Sequence, residues 1–183
     1  MDHISPGQVN ALVSIDTPTG LQHLVVTTGV GASSAYDVTV NPIEPGLLAP
    51  ASFNINGVQY VFASFADGTY VLPAGAISGV NSRTAKPGDL LTLYGVGFGP
   101  VTPAAGDGQI EQQLNTLASS FAIKLGGAPV TASYDGLAPQ AVGLYQFNIT
   151  HGSRRCIRQC GAHFFGGRGE RNADALRPDQ RLS

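Results

Sequence analysis

The residues best suited to do chemistry are few, and each set asks for a different partner. The apolar run in "DLLTLYGVGFGPVTP" (89–103) ends in Gly95-x-Gly97-x-Gly99. Nucleotide-binding folds hold a pyrophosphate on glycines that follow a strand, but the anion then rests on the N–H groups of a helix opening there. Here Pro100 and Pro103 follow, with Gly106 and Gly108 behind them, so no regular helix can begin. The spacing is GxGxG, not GxGxxG, and no lysine completes a P-loop. The glycines are expected at a corner where a strand bends or two backbones approach closely.

Metal chemistry has two candidate sets. Cys156 and Cys160, with His151 and His163, are the donor types of a tetrahedral zinc site. Their spacing, C-x3-C with His163 three residues on, matches no zinc motif, and no helix or strand pattern frames it. Asp107, Glu111 and Asp135 could share a calcium ion, which takes roughly six to eight oxygens. They form no D-x-D-x-D-G run and read as solvated loop acids. For nucleophilic catalysis the chain offers Ser33-Ser34, Ser119-Ser120 and His23, without a G-x-S-x-G elbow to expose a serine. His23 falls in an alternating strand, as a structural or surface residue. Asn148-Ile149-Thr150 is a glycosylation sequon inside an expected strand. The expectation is no catalytic residue, no metal and no cofactor: the chain does not read as an enzyme.

Ligand binding has one candidate set. Tyr60, Phe62, Phe65 and Tyr70 crowd a short stretch and could form a platform for sugar rings. Tyr60 and Phe62 share one face by the two-residue period of a strand. The competing reading is that these rings pack a core, because an isolated hairpin needs an apolar backing.

Short strands must position these groups. The 183 residues include 24 Gly and 12 Pro, and charged residues are 12%, about half the usual share. No window has the period of a long amphipathic helix; the best candidate, "GQIEQQLNTLASSF" (108–121), is short and polar. Strands are expected in "VNALVSI", "LQHLVVTTG" and "AYDVTVNPI". Asn56-Gly57 and Asp67-Gly68 between β-rich runs are hairpin signals, so 51–72 reads as a three-stranded meander. "DLLTLYGVGF", the pair "FAIKLGG" and "APVTASYDG", and "VGLYQFNIT" follow, the last setting Gln146 and Asn148 against Tyr145, Phe147 and Ile149.

Charge is unevenly placed. Residues 1–150 carry three basic and nine acidic side chains, net −6, which does not suit a nucleic-acid partner. Residues 151–183 carry Arg154, Arg155, Arg158, Arg168, Arg171, Arg177 and Arg181 against three acids, net +4, and both cysteines. Such a cluster attracts polyanions by charge alone. There is no run of about 18 apolar residues, so no membrane insertion is expected. "MDHISPGQVN" has neither the basic start nor the apolar core of a signal peptide. A body without cysteine suits an exported bacterial protein built without disulfides.

The chain also echoes itself. "SPGQVNALV" (5–13) resembles "GLYQFNIT" (143–150) and the residues before it. Gln8-Val9-Asn10 sets against Gln146-Phe147-Asn148, and Ser5-Pro6 against Ala138-Pro139 at a different distance. Such an echo suggests two copies of one β-module. The first copy has two strands behind it and only "MDHI" ahead; the second has strands ahead and none behind. The first therefore reads as a module without its front half, the second as one without its back half, and Met1 as an internal start.

Taken in order, "ISPGQVNALV", "TPTGLQHLVVT", "GASSAYDVTV", "YVFASFADGTYV", "AKPGDLLTLYGVGFGPVTP" and "LGGAPVTASYDGLAPQAVGLYQFNIT" resemble the Solibacter C-terminal domain family, found at the ends of large secreted proteins of soil bacteria. "KPGDLLTLYGVGFGP" also resembles the opening of IPT/TIG domains. The resemblance spans residues 4–150 and implies Ig-like β-sandwich modules, with no catalytic residues. Such domains continue past "YQFNIT" with further strands, whereas this chain switches to Arg, Cys and His, as a reading-frame shift in GC-rich DNA would do. The expected organisation is an all-β chain: a partial Ig-like module (1–44), a β-meander linker (45–80), an IPT/TIG-like module lacking its last strands (81–150) and an Arg-rich tail (151–183), frameshifted or disordered. The expected function is a structural or adhesive module of a secreted or cell-surface bacterial protein. Its partners would be a protein or polysaccharide at the cell surface and the other modules of a larger parent chain. The alternative is a carbohydrate-binding accessory module.

Overall fold

Short alternating runs broken by glycine and proline can satisfy their backbone only by pairing with one another. A computed structural model describes residues 3–125, 128–152 and 162–166, and the chain is all-β. At the start, β1 (His3–Ser5) and β2 (Gln8–Asn10) form a hairpin that sets Ile4 opposite Val9. Next come β3 (Gly20–Leu24), β4 (Thr27–Thr28), β5 (Gly31–Ala32) and β6 (Tyr36–Val40). β3 and β6 make an antiparallel ribbon, with β4 and β5 paired at its tip. No residue from Ile4 to Ser52 is buried.

The chain then runs through β7 (Gly46–Leu47), a 3-10 turn at Ala51–Phe53, and the hairpin β8 (Asn54–Ile55) and β9 (Val58–Gln59). Asn56 and Gly57 have φ of 52° and 81°, the pair of positive values that a tight hairpin turn requires. β10 (Ala63–Ser64) and β11 (Tyr70–Val71) pair around Asp67-Gly68, where Asp67 Oδ1 accepts the Thr69 N–H at 2.9 Å. β12 (Ser82–Arg83), β13 (Leu90–Val96), β14 (Val101–Thr102), β15 (Thr116–Leu117), β16 (Phe121–Leu125), β17 (Ala128–Val130), β18 (Ala132–Leu137), β19 (Tyr145–Thr150) and β20 (Ala162–Gly166) complete the order.

Seven of these strands form one sheet, β12-β11-β10-β13-β19-β18, with β7 beside the C-terminal end of β13. The stretch 45–80 thus gives β7, β10 and β11 to the same sheet as β13, β18 and β19. Alternation sends Val61, Ala63, Phe65, Leu91, Leu93, Phe147 and Ile149 to one face. They meet Phe98, Val101, Leu117, Ile123 and Leu125 from the facing strands in a single core, an arrangement consistent with a β-sandwich.

The stretch 108–121 is a loop carrying β15, with no helix. The buried Asn115 pins it: its Oδ1 accepts the Leu137 N–H at 2.7 Å, and its Nδ2 donates to Gln113 O at 3.3 Å. The outer edge of β16 takes β20 antiparallel, Ala122 opposite Phe165. Of the Arg-rich tail, His151, Gly152 and 162–166 are described; the rest of it lies outside the described residues.

Candidate functional site

Of the three glycines at the end of β13 and just past it, Gly95 and Gly97 lie against backbone and Gly99 against a side chain. A Cβ on Gly95 would stand 2.6 Å from Gly46 O, one on Gly97 would fall on Glu44 O, and one on Gly99 would stand 2.9 Å from Ile43 Cγ1. Gly97 and Gly99 also hold positive φ, 77° and 84°. The segment 43–48 lies along them, with Glu44 N–H donating to Gly97 O and Leu48 N–H to Tyr94 O, both at 2.9 Å. The chain then enters β14, without a helix to receive an anion. The motif joins two backbones, as its sequence context implied.

Two of the acids considered for calcium have partners of their own, Glu111 within its loop and Asp135 from β18 to β15. Glu111 Oε1 accepts the Gln113 N–H at 2.7 Å, and Asp135 Oδ1 accepts the Thr116 hydroxyl at 2.7 Å. Among the described residues no three His, Cys, Asp or Glu side chains gather as a metal set. His151 is buried, its Nδ1 2.9 Å from Gly152 O. His163 sits in β20 opposite Lys124, while Cys156 and Cys160 lie outside the described residues. His23 Nδ1 pairs across the ribbon with Asp37 Oδ1 at 2.6 Å, exposed on both sides. Ser33 Oγ instead accepts the Val26 N–H and donates to Ser34 O.

The aromatic candidates divide between the two faces of the large sheet. Phe65 points into the core, and the guanidinium of Arg83 lies 3.4 Å over its ring. Arg83 is held there by Asp89, Nη1 to Oδ2 at 2.8 Å. That contact, followed by the Lys86 N–H, holds the Asp89 carboxyl below its ordinary range. Phe62 and Tyr70 lie half-buried on the opposite, outward face. Phe62 stacks on Phe53 at 5.8 Å, and Tyr70 meets both rings edge-on at 5.4 and 5.6 Å. Phe62 also contacts Tyr94 at 5.7 Å. Tyr60 is half-buried two residues before Phe62 and makes no ring contact among the described residues.

Tyr94 is the hinge of this surface and did not stand out in the sequence; Gln146 and Asn148 did, but for the strand alternation and the internal echo, not as binding groups. Register places Gln146 opposite Tyr94 and Asn148 opposite Thr92 on the same outward face. Asn148 Oδ1 accepts from Thr92 Oγ1 at 3.1 Å and from Gln146 Nε2 at 3.0 Å. The Asn148 Nδ2 has no acceptor among the described residues. The outward face of β10, β11, β13 and β19 is therefore a row of half-exposed rings continued by a row of amides and a hydroxyl. Only cross-strand register, which a linear sequence hides, joins the two rows.

Comparison with protein-family models, with curated proteins and with solved structures found no match.

Proposed function

We propose that this chain is a non-catalytic adhesive module, Ig-like in architecture, of a secreted or cell-surface bacterial protein, and that it binds through the outward face of its large sheet. The observation that carries this reading is the continuity of Phe62, Tyr70 and Tyr94 with Thr92, Gln146 and Asn148 on one face. The opposite face closes the core; on the outward face the buried Phe53 packs on Phe62 and Tyr70, and Tyr94, Thr92, Gln146 and Asn148 stand half-exposed beside it. The ordered likeness of residues 4–150 to the Solibacter C-terminal domain family and to IPT/TIG domains supports the same reading, as does the net −6 of residues 1–150 against a nucleic-acid partner.

A second reading, a carbohydrate-binding accessory module, is favoured by the chemistry of that face. Rings offer a flat apolar surface to the C–H side of a sugar, and adjacent amides bond its hydroxyls. The test is retention of the full chain on immobilised β-glucan, xylan, chitin and peptidoglycan, beside a panel of immobilised surface proteins. Tyr60→Ala, Tyr70→Ala and Tyr94→Ala should each lower retention on the recognised surface, by about tenfold for a stacking contact. Retention unchanged in all three would exclude this face as the binding surface.

A further inference from the structure

The internal echo extends to a side-chain bond. In β19, Gln146 Nε2 donates to Asn148 Oδ1 at 3.0 Å; in β2, Gln8 Nε2 donates to Asn10 Oδ1 at 2.7 Å. Between the paired amides stands Phe147 in one strand and Val9 in the other. Phe147 is 0% exposed and Val9 46%. β19 has an antiparallel neighbour on each edge, β18 and β13. β2 has β1 on one edge, with Ser5 opposite Gln8 as Gly136 is opposite Gln146. Among the described residues nothing pairs with its other edge, the one that corresponds to β13. In residues 4–36, Ile4 on β1 and Val13, Ile15, Leu21, Val30 and Tyr36 each stand more than half exposed.

We infer that the open edge of β2 receives, in trans, a strand of the β13 type that stands unpaired in a neighbouring module. The pairing of β13 with β19 supplies the template: Leu93 opposite Phe147, Thr92 opposite Asn148, Tyr94 opposite Gln146. The incoming strand sets its leucine opposite Val9, its threonine opposite Asn10 and its tyrosine opposite Gln8. Its threonine hydroxyl donates to Asn10 Oδ1, as Thr92 does to Asn148. The covered β1–β2 hairpin then becomes the inner part of a second sheet, with ribbon β3–β6 as its back half. A second copy of this chain cannot be the donor. Its own β13 is flanked by β10, β7 and β19, and Leu91 and Leu93 are 1% and 0% exposed, so it would have to leave its own core. Strand addition to an exposed sheet edge is an established mode of peptide recognition.

The experiment adds a synthetic peptide of the sequence KPGDLLTLYGVGFG to the full chain and follows amide exchange. The expected result is saturable binding that slows exchange at Gln8–Asn10, with the scrambled peptide inert. Val9→Lys should leave thermal unfolding of the chain unchanged, because Val9 is exposed, and should weaken peptide binding on the order of tenfold or more, because a charge would enter a core position. A peptide with valine for threonine should bind more weakly than the parent peptide. Protection at Tyr145–Thr150 instead of Gln8–Asn10, equal binding of the scrambled peptide, or no binding overturns the proposal. So does protection of Gln8–Asn10 by self-association of the chain without peptide.

Discussion

At the scale of single residues, two positions show how closely the fold depends on side-chain identity. Gly97 combines positive φ with a carbonyl where a Cβ would stand. Gly97→Ala should lower stability by roughly 3 kcal/mol, read by urea unfolding, since segment 43–48 must move off β13. Asp89 holds Arg83 over Phe65, and its carboxyl titrates below the usual aspartate range because Arg83 binds its charged form. A depressed folded value means that the stabilisation is complete above the ordinary aspartate pKa and fades as acid takes the pH down through the folded value. Asp89→Asn should therefore flatten the acid limb of a stability-against-pH curve and leave its neutral-to-alkaline shape unchanged. The structural reason for the glycine motif was legible, because prolines after it forbade a helix. The ion pair was not: Arg83 and Asp89 are close in sequence, but nothing in their spacing says that Phe65 lies beneath them.

At the scale of elements, one buried amide holds a loop against a strand. Asn115 Oδ1 is the acceptor for the Leu137 N–H, and Asn115→Ala would leave that donor unpaired in a closed space. The cost should be about 1–3 kcal/mol, measured as a shift in denaturant midpoint without a change in slope. Phe147→Ala removes a fully buried ring at the centre of the core and should cost roughly 3–5 kcal/mol, enough to threaten folding of the sandwich. Strand alternation around Phe147 and the hairpins at Asn56-Gly57 and Asp67-Gly68 were readable because period-2 patterns and turn residues are local signals. The seven-strand order was not, because β7 joins β13 through contacts from Glu44 to Leu48 that no local pattern encodes. For the same reason Tyr60, Phe62, Phe65 and Tyr70 could be named from sequence but not sorted. Sorting needs the register that turns Phe65 inward and sets Tyr94 beside Phe62.

At the scale of the whole molecule, stability should be uneven. The large sheet shares one continuous core, whereas the ribbon of β3 and β6 has no buried residue. Two-stranded ribbons without backing are marginal in water. Amides of Gly20–Val40 should exchange orders of magnitude faster than those of Leu91–Tyr94 and Phe147–Ile149, unless a partner covers the ribbon. The same unevenness separates the two proposals: the binding face belongs to the sheet that shares the core, and the strand-accepting edge to the uncovered hairpin of β1 and β2.

The outward face stands or falls on retention of the full chain on immobilised β-glucan, xylan, chitin, peptidoglycan and surface proteins, with Tyr60→Ala, Tyr70→Ala and Tyr94→Ala run in parallel and their thermal unfolding recorded. The parent chain should be retained on at least one of these surfaces, and the folded variants should lose that retention. Parent and variants held equally, or a folded parent held by none of them, would contradict the assignment of the outward face as the binding surface.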